Sequence, residues 1–103
     1  MIQRGDVVWL AADAPDISHP HVVLALNGAT VLVAMVTSNL QRAKGPGNVL
    51  LEAGEGGLPK QSVIIAHALE VPLARLGARV GAISAQRLTE LEAGLRFVES
   101  LRP

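Results

Sequence analysis

An asparagine–glycine pair, Asn27-Gly28, separates two apolar runs and is the feature that most limits how this chain can fold. Both residue types accept a positive φ angle, so the pair is a strong signal for the tight turn of a β-hairpin. The runs on either side, residues 21–26 and 30–36, then become antiparallel strands. Pro20 opens the first strand, a position where its missing N–H is tolerated.

Further short strands and one helix follow from the rest of the pattern. Apolar runs predict strands at residues 7–10, 48–51, 62–66 and 78–83. Ser84 is a suitable N-cap for a helix over residues 85–101, where leucines recur every three or four residues. Gly94 lies inside this helix and should weaken it by about 1 kcal/mol relative to Ala. The pattern indicates the α+β class, a small and strongly curved sheet closed by a terminal helix.

Composition limits the possible functions. The chain has 103 residues without a repeat or a linker, which predicts one domain over residues 1–103. Trp9 and Phe97 are its only Phe, Trp or Tyr residues, so the core must be aliphatic. The absence of cysteine excludes a disulfide, a thiolate nucleophile and a cysteine metal site. A formal net charge of zero argues against a protein that coats nucleic acid by electrostatics alone.

The N-terminal segment bears on localisation. Charges at Arg4 and Asp6 fall where a signal peptide would be apolar. No apolar run is long enough to span a bilayer. These features, with the absence of cysteine, predict a cytoplasmic protein with no membrane partner.

Polar residues follow abruptly where the strand over residues 30–36 ends. They are Thr37, Ser38 and Asn39, and the cations Arg42 and Lys44 come soon after. Small β proteins tend to carry their chemistry on polar groups at the end of a buried strand. The same hydroxyls and amide could instead simply cap the strand and the turn.

Histidines add to this polar region. Residues 17–51 contain no acidic residue but include His19 and His21, so a local positive patch is expected. His67 follows another apolar run and is interpreted as packing at a strand end. No pair of histidines has ligand spacing together with a matching third group, so we expect neither a metal site nor a cofactor.

Several motifs, in their order and spacing, carry a resemblance that covers nearly the whole chain. They are Arg4-Gly-Asp-Val-Val-Trp9, Val36-Thr-Ser-Asn-Leu-Gln-Arg42, Pro46-Gly-Asn-Val-Leu50, Gly54-Glu-Gly-Gly-Leu-Pro-Lys-Gln-Ser-Val63, Arg75-Leu-Gly77 and Val80-Gly81. With these motifs the chain resembles the MazF/PemK family of toxin endoribonucleases from bacterial toxin–antitoxin pairs.

The resemblance implies both a fold and an activity. The fold is an SH3-like, partly open antiparallel β-barrel with a C-terminal helix, assembled as a homodimer. The activity is metal-independent cleavage of single-stranded RNA, including mRNA, at a short sequence. The ribose 2′-OH attacks the adjacent phosphorus and leaves a 2′,3′-cyclic phosphate. The implied protein partner is a cognate antitoxin whose disordered tail lies in the RNA groove.

The resemblance also implies site residues. The family's acid/base residue is an arginine directly before a proline, and this position holds His19 here. Thr37 matches the threonine that works with it. Histidine, with an ordinary pKa near ~6.5, transfers protons better than arginine but is a poorer fixed charge. His19 is therefore expected to be the acid/base group and Thr37 to orient the phosphate. The expected RNA contacts are His21, Ser38, Asn39, Arg42 and Lys44.

Departures from the family leave other functions open. The loop over residues 11–18 and the turn over residues 26–30 are shorter than in relatives, and Ala68 replaces a glutamine. One alternative is therefore a weakened or inactive homologue that acts as a dimeric RNA- or antitoxin-binding module. A third is a gyrase poison on the same fold. That related family ends in Trp-Gly-Ile, however, whereas this chain ends in Leu101-Arg-Pro103.

Overall fold

The computed structural model describes residues 1–11 and 19–103. Its strands are β1 (Asp6–Leu10), β2 (Pro20–Asn27), β3 (Thr30–Thr37), β4 (Val49–Leu51), β5 (Ser62–Ile64), β6 (Leu69–Pro72) and β7 (Leu76–Ala82), and its α-helix is α1 (Ala85–Ser100). Short 3-10 segments lie at Leu40–Lys44, Glu55–Gly57 and Leu73–Arg75. No helix in the described part of the chain is long and apolar enough to cross a membrane. The loop predicted to be short lies largely outside the described residues.

The strands form one antiparallel sheet in the order β4-β5-β3-β2-β1-β7, and β6 pairs with β3 beside this path. One edge of β3 is shared by two strands. Its first half pairs with β6 and its last residues, Val36 and Thr37, pair with β5. The terminal strands β4 and β7 are not paired with each other in the described structure. The predicted α+β class, a partly open antiparallel sheet with a C-terminal helix, is confirmed.

The β2–β3 hairpin is confirmed, but its turn differs from the prediction by one residue. Asn27 still belongs to β2 and pairs with Thr30, so Gly28 and Ala29 form the turn. Only Gly28, with φ at 67°, has the positive angle. This pattern fits a type II′ turn rather than the type I′ turn that Asn-Gly favours.

A β-bulge interrupts the pairing of β2 with β3. Ala25 pairs with Leu32 whereas Val23 pairs with Val33, so Leu24 is the extra residue on β2. A bulge of this kind bends its strand and shifts the register of every pair beyond it. The shift decides which residues of β3 lie opposite the start of β2.

Residues on the two faces of the strands enter two different aliphatic clusters. Val7, Val22, Ala34, Val36, Val49, Leu51, Leu58, Ile64, Ile83 and Leu91 form the first cluster, beneath α1. Val8, Val23, Val31, Val33 and Val71 form the second, inside the curved sheet. Successive side chains of a strand point to opposite faces. Burial of both faces therefore explains why these strands are continuous apolar runs rather than alternating ones.

The C-terminal helix begins as predicted. The Ser84 hydroxyl accepts a hydrogen bond from the Arg87 backbone N–H at 3.1 Å, and Leu91 is fully buried. The Arg87 guanidinium forms a fork on both carboxylate oxygens of Glu55, at 3.0 and 2.9 Å, and also contacts Glu90 at 2.9 Å. This fork lowers the pKa of the Glu55 carboxyl and ties the helix to the segment Glu55–Gly57.

The strand β6 was not predicted. It contains Glu70 and Pro72, and only Val71 among its residues is buried. Its sequence has neither a long apolar run nor a clean alternation, so the pattern used for the other strands does not detect it. It forms because β3 offers a free edge next to the point where β5 ends.

Gly94 has a packing role that helix propensity does not reveal. A Cβ atom added to it would overlap the carbonyl oxygen of Gly47, because the loop that contains Gly47 lies directly on the helix. Gly47 itself has φ at 76°, a conformation that side chains disfavour. The two glycines allow the backbone of α1 to contact the backbone of the loop before β4 directly.

Replacement of Gly94 with Ala should therefore destabilise the protein, although alanine is the better helix former. We expect the free energy of unfolding to fall by about 1–3 kcal/mol, as for an overpacked contact. Urea unfolding followed by circular dichroism measures the change. Ala93→Gly on the exposed side of α1 is the matched control and should cost about 1 kcal/mol through propensity alone. A Gly94→Ala protein as stable as the unaltered chain would contradict the packing role.

Candidate active site

A cavity of about 320 Å³ lies where the start of β2, the end of β3 and the segment before β5 meet. Its apolar wall consists of Trp9, Pro20, Val36, Leu58 and Pro59. Its polar lining consists of His19, Thr37, Ser38, Lys60 and Ser62. We call it the His19 cavity. None of these lining residues, within the described parts of the chain, is acidic, so the cavity suits an anionic ligand.

His19 and Thr37 come together where the β2–β3 hairpin ends. His21 and Met35 are the last pair of the ladder at this end, and His19 lies just before β2 begins. Without the bulge at Leu24 the register set by the turn would bring His21 opposite Val36 instead. The bulge therefore shifts the end of β3 by one residue relative to the start of β2, beside which His19 lies.

The His19 ring has one nitrogen tied to the backbone. Its Nδ1 lies 3.2 Å from the carbonyl oxygen of Val36. A carbonyl oxygen can only accept a hydrogen bond, so Nδ1 carries the proton in the neutral ring. Nε2 is then the unprotonated nitrogen and can accept a proton from a ligand.

Thr37 is nearly buried at the end of β3, with 9% of its surface exposed. Its Oγ1 accepts a hydrogen bond from the Asn39 backbone N–H at 3.2 Å, which leaves its own hydrogen available to a ligand. The Asn39 side chain in turn accepts from the Gln41 N–H at 3.2 Å and caps Leu40–Lys44. Asn39 thus has the capping role that the sequence left open, and it does not line the His19 cavity.

His21 lines a different cavity from His19. This second cavity has a volume of about 450 Å³, and its lining is His21, Met35, Arg42, Ile65, His67 and Leu69. We call it the His21 cavity. The two histidines are separated because β2 begins at Pro20, so His19 precedes the strand and its alternation does not apply. The His21 Nδ1–H donates a 2.8 Å hydrogen bond to the His19 carbonyl oxygen and links the two cavities.

The predicted site residues therefore fall into three groups. His19, Thr37 and Ser38 share the His19 cavity, whereas Arg42 lies with His21 in the second one. Lys44 and Asn39 are exposed and line neither cavity. The functional roles of all seven residues remain predictions.

Several residues of the site were not singled out from the sequence. Trp9, Lys60 and Ser62 line the His19 cavity, although Trp9 and Lys60 lie within motifs that carry the family resemblance. Asn48 bonds to segments that line the His21 cavity: its Nδ2 donates to the Arg42 carbonyl at 2.7 Å and its Oδ1 accepts from the Ala66 N–H at 2.8 Å. The motifs marked the right segments, but no residue pattern showed which side chains face the cavity.

Comparison with known proteins identifies the family of the chain. Residues 3–98 match the family model described as PemK-like, MazF-like toxin of type II toxin–antitoxin system. The chain belongs to this family.

Curated relatives of this MazF-like chain come from mycobacteria. Endoribonuclease MazF6 of Mycobacterium tuberculosis and endoribonuclease MazF2 of Mycobacterium bovis are each 35% identical to it over 114 residues. Each alignment covers 98% of this chain and 99% of the relative. The aligned length exceeds the 103 residues of the chain, so these relatives contain residues that it lacks.

Solved structures show the same fold at lower identity. The Mycobacterium tuberculosis toxin MazF-mt6 has a TM-score of 0.76 at 20% identity, covering 95% of this chain and 99% of that one. A mycobacterial endoribonuclease in complex with its cognate antitoxin has a TM-score of 0.73 at 17% identity, covering 99% of this chain and 96% of that one. At these identities the likeness supports the MazF-like fold alone.

The surroundings of the His21 imidazole in this MazF-like site lower its pKa. Burial is the main cause that lowers its pKa from the ordinary value, and the positive potential of His19 and Arg75 acts in the same direction. The hydrogen bond to the His19 carbonyl opposes them and is the weaker effect. In the unfolded chain His21 takes up a proton more readily than in the fold.

The free energy of unfolding should consequently decrease as the pH is lowered, because His21 then takes up a proton more readily in the unfolded chain. His21 contributes stability above the ordinary histidine pKa of about 6.5, and this contribution is lost as pH falls through its lower folded value. We expect the free energy of unfolding to decrease from about pH 8 to about pH 5, and His21→Gln to flatten the decrease. Urea titrations at both pH values test this, with His67→Gln removing an exposed histidine as the control. An equally steep decrease in the His21→Gln protein would contradict the assignment.

Proposed function

We propose that this chain is the toxin of a type II toxin–antitoxin pair and cleaves single-stranded RNA, including mRNA, without a metal ion. The observation that carries the proposal is the shared cavity of the His19 imidazole and the Thr37 hydroxyl. Membership in the MazF-like toxin family and 35% identity to proteins named endoribonuclease support it. No cluster of potential metal ligands occurs among the described residues.

The chemistry requires a base near the ribose 2′-OH and a proton for the leaving oxygen. The unprotonated Nε2 of His19 accepts the 2′-OH proton while the 2′ oxygen forms a bond to the adjacent phosphorus. The bond from phosphorus to the 5′ oxygen then breaks, and the imidazolium returns its proton to that oxygen. The products are a 2′,3′-cyclic phosphate and a 5′-OH, and His19 ends neutral as it began.

Thr37 orients the reacting phosphate in this scheme. Its oxygen accepts from the Asn39 N–H, and its hydroxyl donates no hydrogen bond to another described residue. It can therefore donate to a non-bridging phosphate oxygen. Thr37 is nearly buried at the end of β3, which restricts its side chain to few orientations. The hydroxyl is therefore preorganised for the phosphate before RNA binds.

The remaining predicted residues act in RNA binding. Ser38 lines the His19 cavity, and the His21 cavity next to it offers Arg42 and an imidazole to the following nucleotides. Lys44 and Asn39 lie on the exposed segment between the two strands β3 and β4. Contacts from Arg42 and Lys44 to phosphates would raise affinity without reading sequence.

The assembly is proposed to be a cytoplasmic homodimer that a cognate antitoxin inhibits. Large apolar side chains are exposed on one chain, and they include Leu40, Leu69, Phe97 and Leu101. A related mycobacterial endoribonuclease has been solved with its antitoxin. Light scattering should give twice the 10.8 kDa mass of the chain.

A binding-only protein is the second candidate. It is favoured by His19 in place of the family arginine and by the shortened loops over residues 11–18 and 26–30. Such a protein would still dimerise and bind RNA or antitoxin, but would cleave RNA little.

The first test is cleavage of a long, mixed-sequence RNA in excess EDTA. We expect discrete cuts that carry 2′,3′-cyclic phosphates, and loss of acid/base catalysis in His19→Ala should slow them by about 10²–10⁴-fold. Mapping of the cut ends measures both, and thermal unfolding verifies that the variant is folded. Absence of cuts by a folded dimer of the unaltered chain would favour the binding-only protein.

A second test addresses Thr37 by itself. Thr37→Val keeps the side-chain shape but removes the donor, so the single-turnover rate should fall on the order of 100-fold. Thr37→Ser restores a hydroxyl and should recover most of the rate. Equal rates for the Val and Ser proteins would rule out a hydrogen bond to the phosphate as the role of Thr37.

A further inference from the structure

The proposed mechanism lacks a fixed positive charge at the phosphorus. A reacting phosphate gains negative charge as the 2′ oxygen bonds to it, and stabilisation of that charge is usually a large part of catalysis. His19 cannot supply it at the start, because the ring must be neutral to accept the proton. Another cation at the same cavity would separate proton transfer from charge stabilisation.

Lys60 is the permanent cation that lines the His19 cavity, among the residues the structure describes. No lining residue in the described parts is acidic, and Lys60 forms no ion pair with a described carboxylate. Arg42 lines only the other cavity. The charge of Lys60 is therefore available to an anion held between His19 and Thr37.

The backbone around Lys60 is held on both sides. Before it, Leu58 is buried and its N–H donates to the Glu55 carbonyl at 3.1 Å, and Pro59 has a restricted φ angle. After it, the Ser62 hydroxyl donates to the Lys60 carbonyl oxygen at 3.0 Å. Ser62 is buried and pairs with Leu51 at the start of β5. Because the backbone of Lys60 is fixed in this way, less conformational entropy is lost when its flexible side chain becomes ordered on substrate binding.

We propose that Lys60 is a catalytic residue whose ammonium group stabilises the negative charge of the reacting phosphate. This role rests on the proposed RNA cleavage. The ammonium contacts a non-bridging oxygen while the 2′ oxygen bonds to phosphorus and the bond to the 5′ oxygen breaks. Lys60 gains and loses no proton, and His19 carries out both transfers.

Substitution of Lys60 gives the direct test. Lys60→Met should lower the single-turnover rate at saturating RNA on the order of 100-fold, with a much smaller change in KM. Lys60→Arg keeps the charge and should stay within about tenfold of the unaltered protein. Arg96→Met removes one cation from the exposed side of α1, away from both cavities, and should leave the rate unchanged.

Chemical rescue distinguishes charge from structure. The natural chain contains no cysteine, so Lys60→Cys introduces a single thiol. Alkylation with 2-bromoethylamine restores a side chain of lysine length with a terminal amine, whereas iodoacetamide adds a neutral group. We expect the aminoethylated protein to recover at least about tenfold in rate over the carbamidomethylated one.

The outcomes separate the two proposals. Cleavage by the unaltered protein together with full-rate cleavage by Lys60→Met would overturn the role of Lys60 and leave the ribonuclease function standing. A rise in KM without a change in rate would also overturn it, because Lys60 would then bind RNA equally in the ground and transition states. Equal rates for the two alkylated proteins would do the same. If the unaltered protein cuts no RNA, the proposed function fails and the catalytic role fails with it.

Discussion

The register of the β2–β3 hairpin decides which polar groups meet at the end of β3. The turn at Gly28 and Ala29 sets one register, and the bulge at Leu24 changes it by one residue before the strands end. Because side chains alternate along a strand, a shift of one residue exchanges the groups presented to each face. The position of Thr37 relative to the start of β2, beside which His19 lies, is thus a property of the hairpin as a whole. The bulge adds one unpaired residue to β2 and thereby sets this alignment.

The other edge of β3 connects the site to the core. Val36 pairs with Ile64 and Thr37 pairs with Val63, so the strand that ends in the site is bonded to the strand that begins just after Lys60. The carbonyl of Val36 also fixes the His19 ring, while its side chain is buried in the cluster under α1. One residue of β3 therefore contributes to the core, the sheet and the tautomer of the imidazole. Displacement of β5 would move two sides of the cavity at once.

Much of the fold could be predicted from the sequence, and the reasons for the errors are specific. The hairpin, the other four predicted strands and the capped helix were found because each has a local signal, such as a turn pair, an apolar run or a serine before a leucine repeat. The strand β6 was not found because its partner edge, rather than its own residues, makes it a strand. Gly94 was interpreted only as weakening the helix. The local pattern does not show that its backbone lies against Gly47, which is distant in sequence. Tertiary contacts decide each of these points, and no local pattern encodes them.

The loop that contains Gly47 joins the helix to the site through a short series of contacts. Gly47 lies on the backbone of α1 at Gly94, and the next residue, Asn48, bonds to the carbonyl of Arg42 and to the N–H of Ala66. The first bond fixes the segment that bears the phosphate-binding candidates, and the second fixes the chain just beyond β5. The helix therefore does more than cover the aliphatic core. It holds the loop that bonds to both the Arg42 segment and the chain just beyond β5, which explains why glycine suits a position where helix propensity alone would favour alanine.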